Sequence, residues 1–456
     1  MNGEIPMKKI ALLAVLLAAV LLLSSCNLVV KDEAVDAATV ILKMGDTEVT
    51  KAQVQDATQD QLLQMYQYYG MLGHQVDMKD PAVIADAQNA AVTALKQDMV
   101  LRAKAAELGL DQLTEEELAK VQEAAEADVE TSKTYIKASY LTEEQQALEG
   151  EELDAAIQEQ LDLLGISADS YIVREKDQLI DQKVYDYAVK DVEVTDEEVK
   201  ADYDAKVAAD EEKYKENASA WTSADRSGST LYYAPAGIRR VRQILVKFGD
   251  EDQAAVDEAN AKVTEATGKV TAAQKTLDDE SASEEDKAKA QEDLAAAEAE
   301  LEAAGEALKA ASDAAYANID EDADAVLAAL AENPDSWDDL VKEKNGDPGM
   351  KEGAPNAERG YSVCEGMSGF DSAFVDAAIA LNSVGDISGK IRGETYGYYI
   401  IKYVGDDTEG PVDFESVKDA LHDALLKTKQ DETYTAAVNQ WVEEAGIKEN
   451  LGALKD

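Results

Sequence analysis

The histidines and cysteines of this chain, the residue types that build structural zinc sites, are His74, His422, Cys26 and Cys364. These two histidines and two cysteines are spread over 456 residues. A structural zinc site uses about four ligands of these kinds, and a Ser-His-Asp triad needs a histidine beside its serine. The sequence therefore predicts no zinc site built on histidine and cysteine, and it argues against triad catalysis.

An apolar run near the N-terminus predicts the compartment. Ile10–Leu23 is an unbroken run of 14 apolar residues and follows the positive pair Lys8 and Lys9. Because a membrane-spanning helix needs about 20 apolar residues, the run is typical of a signal peptide. We predict that residues 1–25 are a signal peptide and are not part of the fold.

The run ends in Leu23-Ser24-Ser25-Cys26, which resembles a bacterial lipobox. The resemblance implies that Cys26 is lipidated, and an unmodified cysteine beside an ordinary cleavage site is the alternative. Each buried methylene of a lipid adds about 0.8 kcal/mol, so a multiply acylated cysteine is a stable anchor. We expect residues 26–37 to be a tether and the protein to be extracytoplasmic and lipid-anchored to the bacterial cell membrane. Cys364 then has no intramolecular partner, so we expect no disulfide.

The charge of the chain argues against one class of partner. The sequence has 95 acidic and 43 basic residues and a formal net charge of −52. Nucleic-acid binding needs positive charge to displace counterions, and docking on anionic lipid needs a basic face. We therefore predict no nucleic-acid partner, and membrane contact through the lipid anchor. The acidity is interpreted as a solvated surface, with a surface for cations or basic clients as the alternative.

Two distant segments carry the most specific pattern in the chain. The first is Ile238-Arg239-Arg240-Val241-Arg242-Gln243-Ile244-Leu245-Val246-Lys247-Phe248. The second, residues 370–404, contains Phe374-Val375-Asp376-Ala377-Ala378-Ile379-Ala380-Leu381, Val384-Gly385-Asp386-Ile387-Ser388-Gly389 and Tyr396-Gly397-Tyr398-Tyr399-Ile400-Ile401-Lys402. Together they resemble the parvulin family of peptidyl-prolyl cis-trans isomerases. The resemblance implies isomerase activity and a parvulin-like α/β domain over residues 236–406.

The same resemblance implies where the site lies. The polar, catalytic positions of the family are matched by Gln243, Asp347 and Tyr399. The positions that bind the substrate proline are matched by Phe370, Phe374 and Leu245. Gln243 and Tyr399 stand where the family usually carries histidine. One interpretation keeps a hydrogen-bonded polar centre that still catalyses, since amide and phenol groups both donate and accept. The other is a degenerate site that only binds extended peptide, with Tyr399 as a plain core residue.

The chemistry implied by the resemblance needs no added reagent. Rotation about a peptide bond faces a barrier of about 18–20 kcal/mol, and uncatalysed exchange at X-Pro bonds takes about tens of seconds or more. A catalyst has to hold the proline in an apolar pocket, desolvate the amide and favour the twisted state. We therefore expect no metal and no cofactor. We expect the loss of histidine to reduce the activity without having to abolish it.

Residues 38–234 are predicted to form a mainly helical domain. Four capping boxes mark helix starts. They pair Thr50 with Gln53, Thr114 with Glu117, Thr142 with Gln145, and Thr195 with Glu198. A short strand-turn-strand segment precedes the first of them. This order of elements resembles the N-terminal region of the PrsA and SurA group of extracytoplasmic foldases.

One helical stripe in this region has two interpretations. Leu62, Met65, Tyr66 and Tyr69 recur at helical spacing. A surface of aromatic and methionine side chains could grip unfolded client proteins. The alternative is that these residues are simply the buried face of a helix.

The middle of the chain is predicted to hold a linker, a strand and an inserted hairpin. Residues 218–237 are rich in Ser, Ala and Gly, which is typical of a linker, and residues 239–248 alternate as a strand does. Apolar residues then recur every seven positions with alanine between them, which predicts an antiparallel helical hairpin over residues 252–316. The alternative is a single extended helix or a disordered acidic segment. The recurring residues are Val256, Val263, Val270, Leu277, Leu294, Leu301 and Leu308.

Together these patterns predict an α+β protein. It would combine a mainly helical, discontinuous chaperone domain with a parvulin-like α/β domain that carries the inserted hairpin. Residues 410–456 would supply a C-terminal helix that packs on the N-terminal domain, as the resemblance to PrsA-type proteins implies.

The function implied by the resemblance is that of a foldase. Such a protein is a peptidyl-prolyl isomerase and chaperone whose partners are unfolded secreted polypeptides with X-Pro bonds, and it could also form a homodimer. Two alternatives stay open. The first is a catalytically degenerate holdase of the same architecture, and the second is a coiled-coil adaptor lipoprotein of the envelope.

Overall fold

A computed structural model of the protein describes residues 33–74 and 76–455. The predicted signal peptide and the predicted lipidation site at Cys26 lie outside the described residues. The chain forms two compact units: residues up to Glu193 together with those from Leu426 onward, and Val194–Leu425. Helices dominate both units and the sheets are small and antiparallel. The predicted α+β, mainly helical class is confirmed.

The first unit is a set of helices with one small sheet. Its strands β1 (Val40–Met44), β2 (Thr47–Thr50) and β9 (Lys448–Glu449) lie in the order β2-β1-β9. Its helices before Glu193 are α1 (Glu33–Ala37), α2 (Lys51–Met71), α3 (Pro81–Leu108), α4 (Glu115–Ser139), α5 (Glu143–Gln146), α6 (Glu151–Leu163) and α7 (Ala168–Val189). Within the described ranges, no helix combines the length and the apolar character needed to cross a membrane.

All four predicted capping boxes are present, so these helix starts are confirmed. In each box the threonine hydroxyl accepts the backbone N–H three residues later, and the side chain of that later residue accepts the N–H of the threonine. Loss of such a cap typically costs about 1 kcal/mol. Local sequence alone therefore fixes where these helices begin.

The aromatic stripe of α2 is exposed where the helix ends. Tyr66 is 52% exposed and Tyr69 is 38% exposed. The buried residues of α2 are Lys51, Val54 and Thr58, which lie in its first turns. The interpretation of the stripe as core is therefore wrong for both tyrosines, because their side chains are exposed in the part of the chain that the structure describes.

The second unit is built around a four-stranded antiparallel sheet of order β5-β4-β7-β6. Its strands are β3 (Tyr233–Ala234), β4 (Arg239–Lys247), β5 (Tyr361–Val363), β6 (Ile391–Arg392), β7 (Gly397–Asp406) and β8 (Gly410–Pro411), and β3 pairs with β8. Its helices are α8 (Asp196–Tyr214), α9 (Ala218–Arg226), α10 (Asp250–Asp278), α11 (Glu284–Glu332), α12 (Trp337–Lys344), α13 (Asn356–Arg359), α14 (Ser372–Ala380) and the first part of α15 (Phe414–Glu444).

The central sheet carries an apolar layer on each face because the side chains of β4 alternate. Val241 and Leu245 pack in one layer with residues of α9 and α14. Ile244 and Val246 pack in the other layer with residues of α11 and α12. Trp337, at the start of α12, is 1% exposed and anchors this second layer. The predicted strand over residues 239–248 is confirmed to within one residue.

Helices α10 and α11 pack side by side in opposite directions. Lys269 of α10 and Glu300 of α11 form an ion pair at 2.7 Å, and Asn318 donates to Asp252 at 2.9 Å. Buried positions of the seam include alanines spaced seven apart: Ala259, Ala266 and Ala273 on α10, with Ala290, Ala297 and Ala304 on α11. Small side chains at the seam let the two backbones approach closely. Helix α11 continues to Glu332, beyond the hairpin boundary predicted at residue 316.

The prediction of a linker over residues 218–237 is wrong for α9 and β3. Asn217 Oδ1 accepts the N–H of Ala220 at 3.1 Å and begins the helix. Trp221 is 4% exposed, and its indole N–H donates to the Tyr233 carbonyl at 2.7 Å. The Ser- and Ala-rich composition resembles a loop, but burial of one face stabilises the helix.

Candidate active site

Strand β4 places Gln243 and Leu245 on the same face of the central sheet, because side chains two residues apart point the same way. Strand β7 runs antiparallel beside it, with Ile401 opposite Gln243 and Tyr399 opposite Leu245. Phe374 of α14 packs in the apolar layer on this face. The register of the sheet therefore brings the two distant segments together.

A buried hydrogen-bonded group lies on this face, and we call Gln243, Asp347 and Tyr361 the polar centre. Gln243 is 5% exposed, and its Nε2 donates to Asp347 Oδ2 at 2.6 Å. Tyr361 Oη donates to the same oxygen at 3.0 Å, and the N–H of Gly349 donates to Asp347 Oδ1 at 2.8 Å. Three donors thus satisfy a carboxylate that would be costly to bury alone.

The loop that carries Asp347 is held against β4 by Asn345. Asn345 Oδ1 accepts the N–H of Leu245 at 2.9 Å and that of Asp347 at 3.1 Å. Its Nδ2 donates to the Asp347 carbonyl at 2.9 Å, and the N–H of Gly346 donates to the Leu245 carbonyl at 2.8 Å. These bonds fix the loop to the strand, so the carboxylate meets Gln243 in a defined geometry.

Aromatic rings line the cavity beside the polar centre. The Phe370 and Phe374 rings are stacked with centroids 5.4 Å apart. Phe374 meets Tyr399 edge-on at 5.3 Å, and Phe370 meets Tyr361 edge-on at 5.2 Å. The cavity has a volume of about 850 Å³. The aromatic part of its wall suits an apolar group of a ligand.

The structure places all six site residues predicted from the sequence around this cavity. They are Gln243, Asp347, Tyr399, Phe370, Phe374 and Leu245. Gln243 and Asp347 bond to each other, whereas the described hydrogen bonds include none from Tyr399 to either of them. Tyr399 is 6% exposed and contributes its ring to the aromatic wall. The phenol that reaches the carboxylate belongs to Tyr361 instead.

Tyr361 was not predicted as a site residue, although its neighbour Gly360 gives a local signal. Gly360 has φ +79°, and a Cβ atom there would lie 2.7 Å from the Val241 carbonyl oxygen. Only glycine allows this close approach of two strands in a left-handed conformation. A Cβ on Gly349 would in turn lie 1.8 Å from Tyr361 Oη. These two glycines bring Tyr361 within reach of Asp347.

Burial raises the pKa of two of the three phenols that line the cavity, those of Tyr361 and Tyr399. It raises the pKa of Tyr361 above the ordinary range, and the charge and hydrogen bond of Asp347 raise it further. Burial also raises the pKa of Tyr399, with Asp371 as the next cause. Near neutral pH, Tyr361 is therefore a hydrogen-bond donor and not a base.

Both helices of the hairpin hold the loop that closes the β6–β7 side of the cavity. Tyr316 of α11 donates to the carbonyl of Gly397 at 3.0 Å and also to that of Gly393. Gln253 of α10 lines the cavity and donates to the Thr395 carbonyl at 3.0 Å. The hairpin is thus part of the framework of the site.

The three arginines of β4 have structural partners. Arg239 donates to the carbonyls at the end of α14, among them that of Ala378 at 2.9 Å. Arg240 donates to Asp225 at 2.7 Å, and Arg242 pairs with Asp338 at 2.8 Å. These guanidinium groups are engaged within the unit, so they do not form a pair directed at a phosphate. Within residues 33–74 and 76–455, no cluster of three His, Cys, Asp or Glu residues could hold a metal ion.

Part of the chain is similar in sequence to proteins that are named foldases. The foldase protein PrsA of Clostridium botulinum is 38% identical over 111 residues, which are 24% of this chain and 31% of that protein. The foldase protein PrsA of Clostridium acetobutylicum is 32% identical over 135 residues, which are 29% and 35% of the two chains. The chain is similar in sequence to the PrsA foldases. It spans about a third of the length of the curated PrsA proteins that it matches. The predicted resemblance to PrsA is confirmed for this part of the chain.

No protein-family model matches the chain. Among solved structures, the foldase protein PrsA of Streptococcus pneumoniae is 14% identical with a TM-score of 0.26, over 91% of this chain and 97% of that one. A SurA-like chaperone from a study of PEB4 and Cj1289 of Campylobacter jejuni is 16% identical with a TM-score of 0.24, over 71% of this chain and 95% of that one. With such low TM-scores, these structures add nothing to the sequence match with PrsA.

Proposed function

We propose that the protein is a parvulin-type peptidyl-prolyl isomerase and a foldase for secreted proteins outside the cytoplasmic membrane. The observation that carries this proposal is a buried polar centre directly beside a cavity walled by Phe370, Phe374 and Tyr399. Sequence similarity to proteins named foldases supports the same function. The predicted lipobox at Cys26 supports a lipid anchor, which would keep the protein near chains that emerge from the membrane.

In this mechanism the aromatic walls bind the proline ring and remove the X-Pro amide from water. The planar amide owes its stability to a charge-separated resonance form, whereas the twisted amide has lost that resonance and is less polar. An apolar cavity therefore disfavours the planar state relative to the twisted state. Each 1.36 kcal/mol of such a difference speeds rotation about tenfold.

The polar centre supplies a fixed electrostatic environment. Gln243 and Tyr361 are both held by Asp347, so their dipoles do not have to reorganise when the bond rotates. Rotation breaks no σ bond and transfers no proton. A glutamine can therefore serve where the family usually carries histidine, because no step requires a titrating base.

The test is catalysis by the full-length mature protein on a short Xaa-Pro peptide. Exchange NMR or a protease-coupled assay would measure the cis-to-trans rate with the wild-type protein at micromolar concentration. We expect the rate to rise with protein concentration above uncatalysed exchange, which takes about 10–100 s. Heat-inactivated protein provides the background. A rate that stays at this background over the whole concentration range would rule out the isomerase.

A second function, the holding of unfolded clients, is favoured by the exposed end of α2. The aromatic surface, as we call it, comprises Tyr66, Tyr68, Tyr69, Met71 and Leu72, which are 38–78% exposed. Residues 61–76 contain no Asp, Glu, Lys or Arg, although 30% of the chain is charged. An uncharged, apolar surface can bind apolar segments without burying a charged side chain. We propose that unfolded polypeptides bind here.

Replacing Tyr66 and Tyr69 together with serine is expected to weaken the suppression of client aggregation. The concentration needed for half-suppression should rise about fivefold, equivalent to about 1 kcal/mol of lost contact with apolar segments. Light scattering of a chemically unfolded client checks this. Tyr135→Ser is the matched control, because Tyr135 is 60% exposed but lies in a charged stretch of α4. Equal losses in the control and the double variant would contradict a role for the aromatic surface.

A further inference from the structure

Gln243 has one atom whose hydrogen bonding is incomplete. Its Nε2 donates to Asp347, but none of the described residues donates a hydrogen bond to its Oε1, which is buried. Gln243 is 5% exposed and lines the cavity. Buried polar atoms nearly always have a partner, and an exception needs an explanation such as a role in the chemistry of a site.

The orientation of this amide is fixed by its neighbour. An ionised carboxylate can only accept hydrogen bonds, so the atom at 2.6 Å from Asp347 Oδ2 must be the amide nitrogen. Asp347 is in turn held by Tyr361 and by the N–H of Gly349. Oε1 is therefore an acceptor in a fixed position. Because none of the described residues donates to it, its hydrogen bond can be completed by a donor on a bound ligand.

We propose that Gln243 Oε1 accepts the backbone N–H of the residue that follows proline in a bound Xaa-Pro-Yaa segment. The inference rests on the proposed isomerase function and names the substrate class of that same site. Proline itself has no N–H to offer. The nearest donors in the substrate are the N–H of Yaa and the N–H of Xaa, which lie on opposite sides of the rotating bond.

The N–H of Yaa suits the site because it lies on the same side of the rotating bond as the proline ring. The ring packs against Phe374 and Leu245, and Leu245 is two residues from Gln243 on the same face of β4. Ring and N–H can thus both stay bound while the Xaa carbonyl turns. The N–H of Xaa would swing with that carbonyl and lose its acceptor during rotation.

The substrate class follows from this hydrogen bond. Segments in which Yaa has a free N–H are substrates, and Xaa-Pro-Pro segments are poor ones because their second proline lacks the donor. A site with a buried acceptor rejects a ligand that lacks the matching donor, since the acceptor is then desolvated and unpaired.

The test pairs one change in the peptide with one change in the protein. The peptides are Ala-Ala-Pro-Phe and its ester analogue, in which phenyllactate replaces the last residue and removes that N–H. Exchange NMR gives the catalysed rate, and peptide titration gives Kd, for the wild type and for Gln243→Met. The wild type should prefer the amide about tenfold. Gln243→Met should prefer the amide by less than about twofold. The peptide N–H and Gln243 Oε1 belong to the same proposed hydrogen bond, so losing both costs little more than losing one.

Tyr399→Phe is the matched control, because it removes another polar atom of the cavity wall and should keep the wild-type preference. Circular dichroism checks that each variant is folded. If Gln243→Met turns over too slowly to measure, the ratio of its Kd values for the two peptides gives its preference for the amide. The same amide preference in the wild type and in Gln243→Met would overturn the inference while leaving the isomerase intact. A wild type that neither binds nor isomerises either peptide would overturn the proposed function, and the inference with it.

Discussion

Replacing Asp225 with alanine is expected to lower the free energy of unfolding of the second unit by about 3 kcal/mol. Asp225 is 6% exposed and accepts hydrogen bonds from Arg240 at 2.7 Å, Arg359 at 2.9 Å and Ser362 at 2.6 Å. Removing one partner of a buried ion pair leaves the other charge buried, without its protein partner and without full solvation by water. The value lies at the low end of the usual range because Arg240 keeps Asp407 at 2.8 Å.

Thermal unfolding of the full chain checks this prediction. For a unit of this size, about 3 kcal/mol lowers Tm by about 6–12 °C. Glu258→Ala is the matched control, since Glu258 is ion-paired with Lys262 at 2.8 Å in the same unit but is exposed. That control should leave Tm unchanged. A shift for Asp225→Ala no larger than that of the control would show that the buried ion pairs do not stabilise the unit.

The effect of Asp225 should depend on pH in one direction. Burial alone would raise the pKa of Asp225, but the hydrogen bonds from Arg240 and Ser362 and the charge of Arg240 outweigh burial and lower the pKa. A lowered folded pKa adds stability above the ordinary carboxyl pKa of about 3.9. The difference between wild type and Asp225→Ala should therefore be full at neutral pH and shrink as the pH falls below about 4. Urea unfolding of both proteins at neutral pH and at a pH below about 4 measures this difference in stability.

Features of the chain that depend on neighbouring residues could be predicted from the sequence. The capping boxes, such as Thr114 with Glu117, form within one turn, so their residue types are sufficient. The strand β4 follows from alternation alone. The hairpin follows from its seven-residue repeat, but the end of α11 does not, because no glycine or proline separates residue 316 from Glu332.

Features that depend on tertiary packing could not be predicted from composition. Helix α9 is stabilised by Trp221 against Tyr233 and by Asp225 against Arg240, and neither contact is visible in a Ser- and Ala-rich segment. The same limit applies to Tyr361, because its bond to Asp347 depends on how β5 packs beside β4.

The candidate site could be predicted because a family pattern groups residues that are distant in sequence but close together in the fold. Gln243 and Asp347 are 104 residues apart, and nothing local relates them. Matching both to one family pattern placed them together, and the structure brings them to 2.6 Å. Tyr399 shows where such matching ends. It lies at the cavity, as its strand position requires, but its phenol does not join the polar centre. In this case the family pattern predicted the backbone position of Tyr399 but not its hydrogen bonds, because a tyrosine side chain differs from histidine in length and in the position of its polar atom.

Replacing Phe374 with leucine is expected to reduce kcat/KM for an Xaa-Pro peptide about 10- to 100-fold, if the proposed isomerase function holds. Phe374 is 1% exposed, stacks on Phe370 and touches Tyr399, so it connects the two aromatic walls of the cavity. Leucine keeps most of the buried volume, so the fold should lose less than about 1.5 kcal/mol. The substitution removes the flat ring that we propose packs on the substrate proline.

Phe248→Leu is the matched control, which distinguishes an effect on the cavity from an effect on the stability of the unit. Phe248 is 2% exposed and belongs to the same unit, but it packs on the other face of the sheet, edge-on to Tyr316 at 4.8 Å. The two variants change the same residue type at the same burial, so urea unfolding should give similar stabilities. Exchange NMR should then show a loss of rate in Phe374→Leu and a nearly wild-type rate in Phe248→Leu. Equal losses of rate would mean that catalysis responds to the packing of the sheet as a whole, and the assignment of Phe374 to the proline pocket would be wrong.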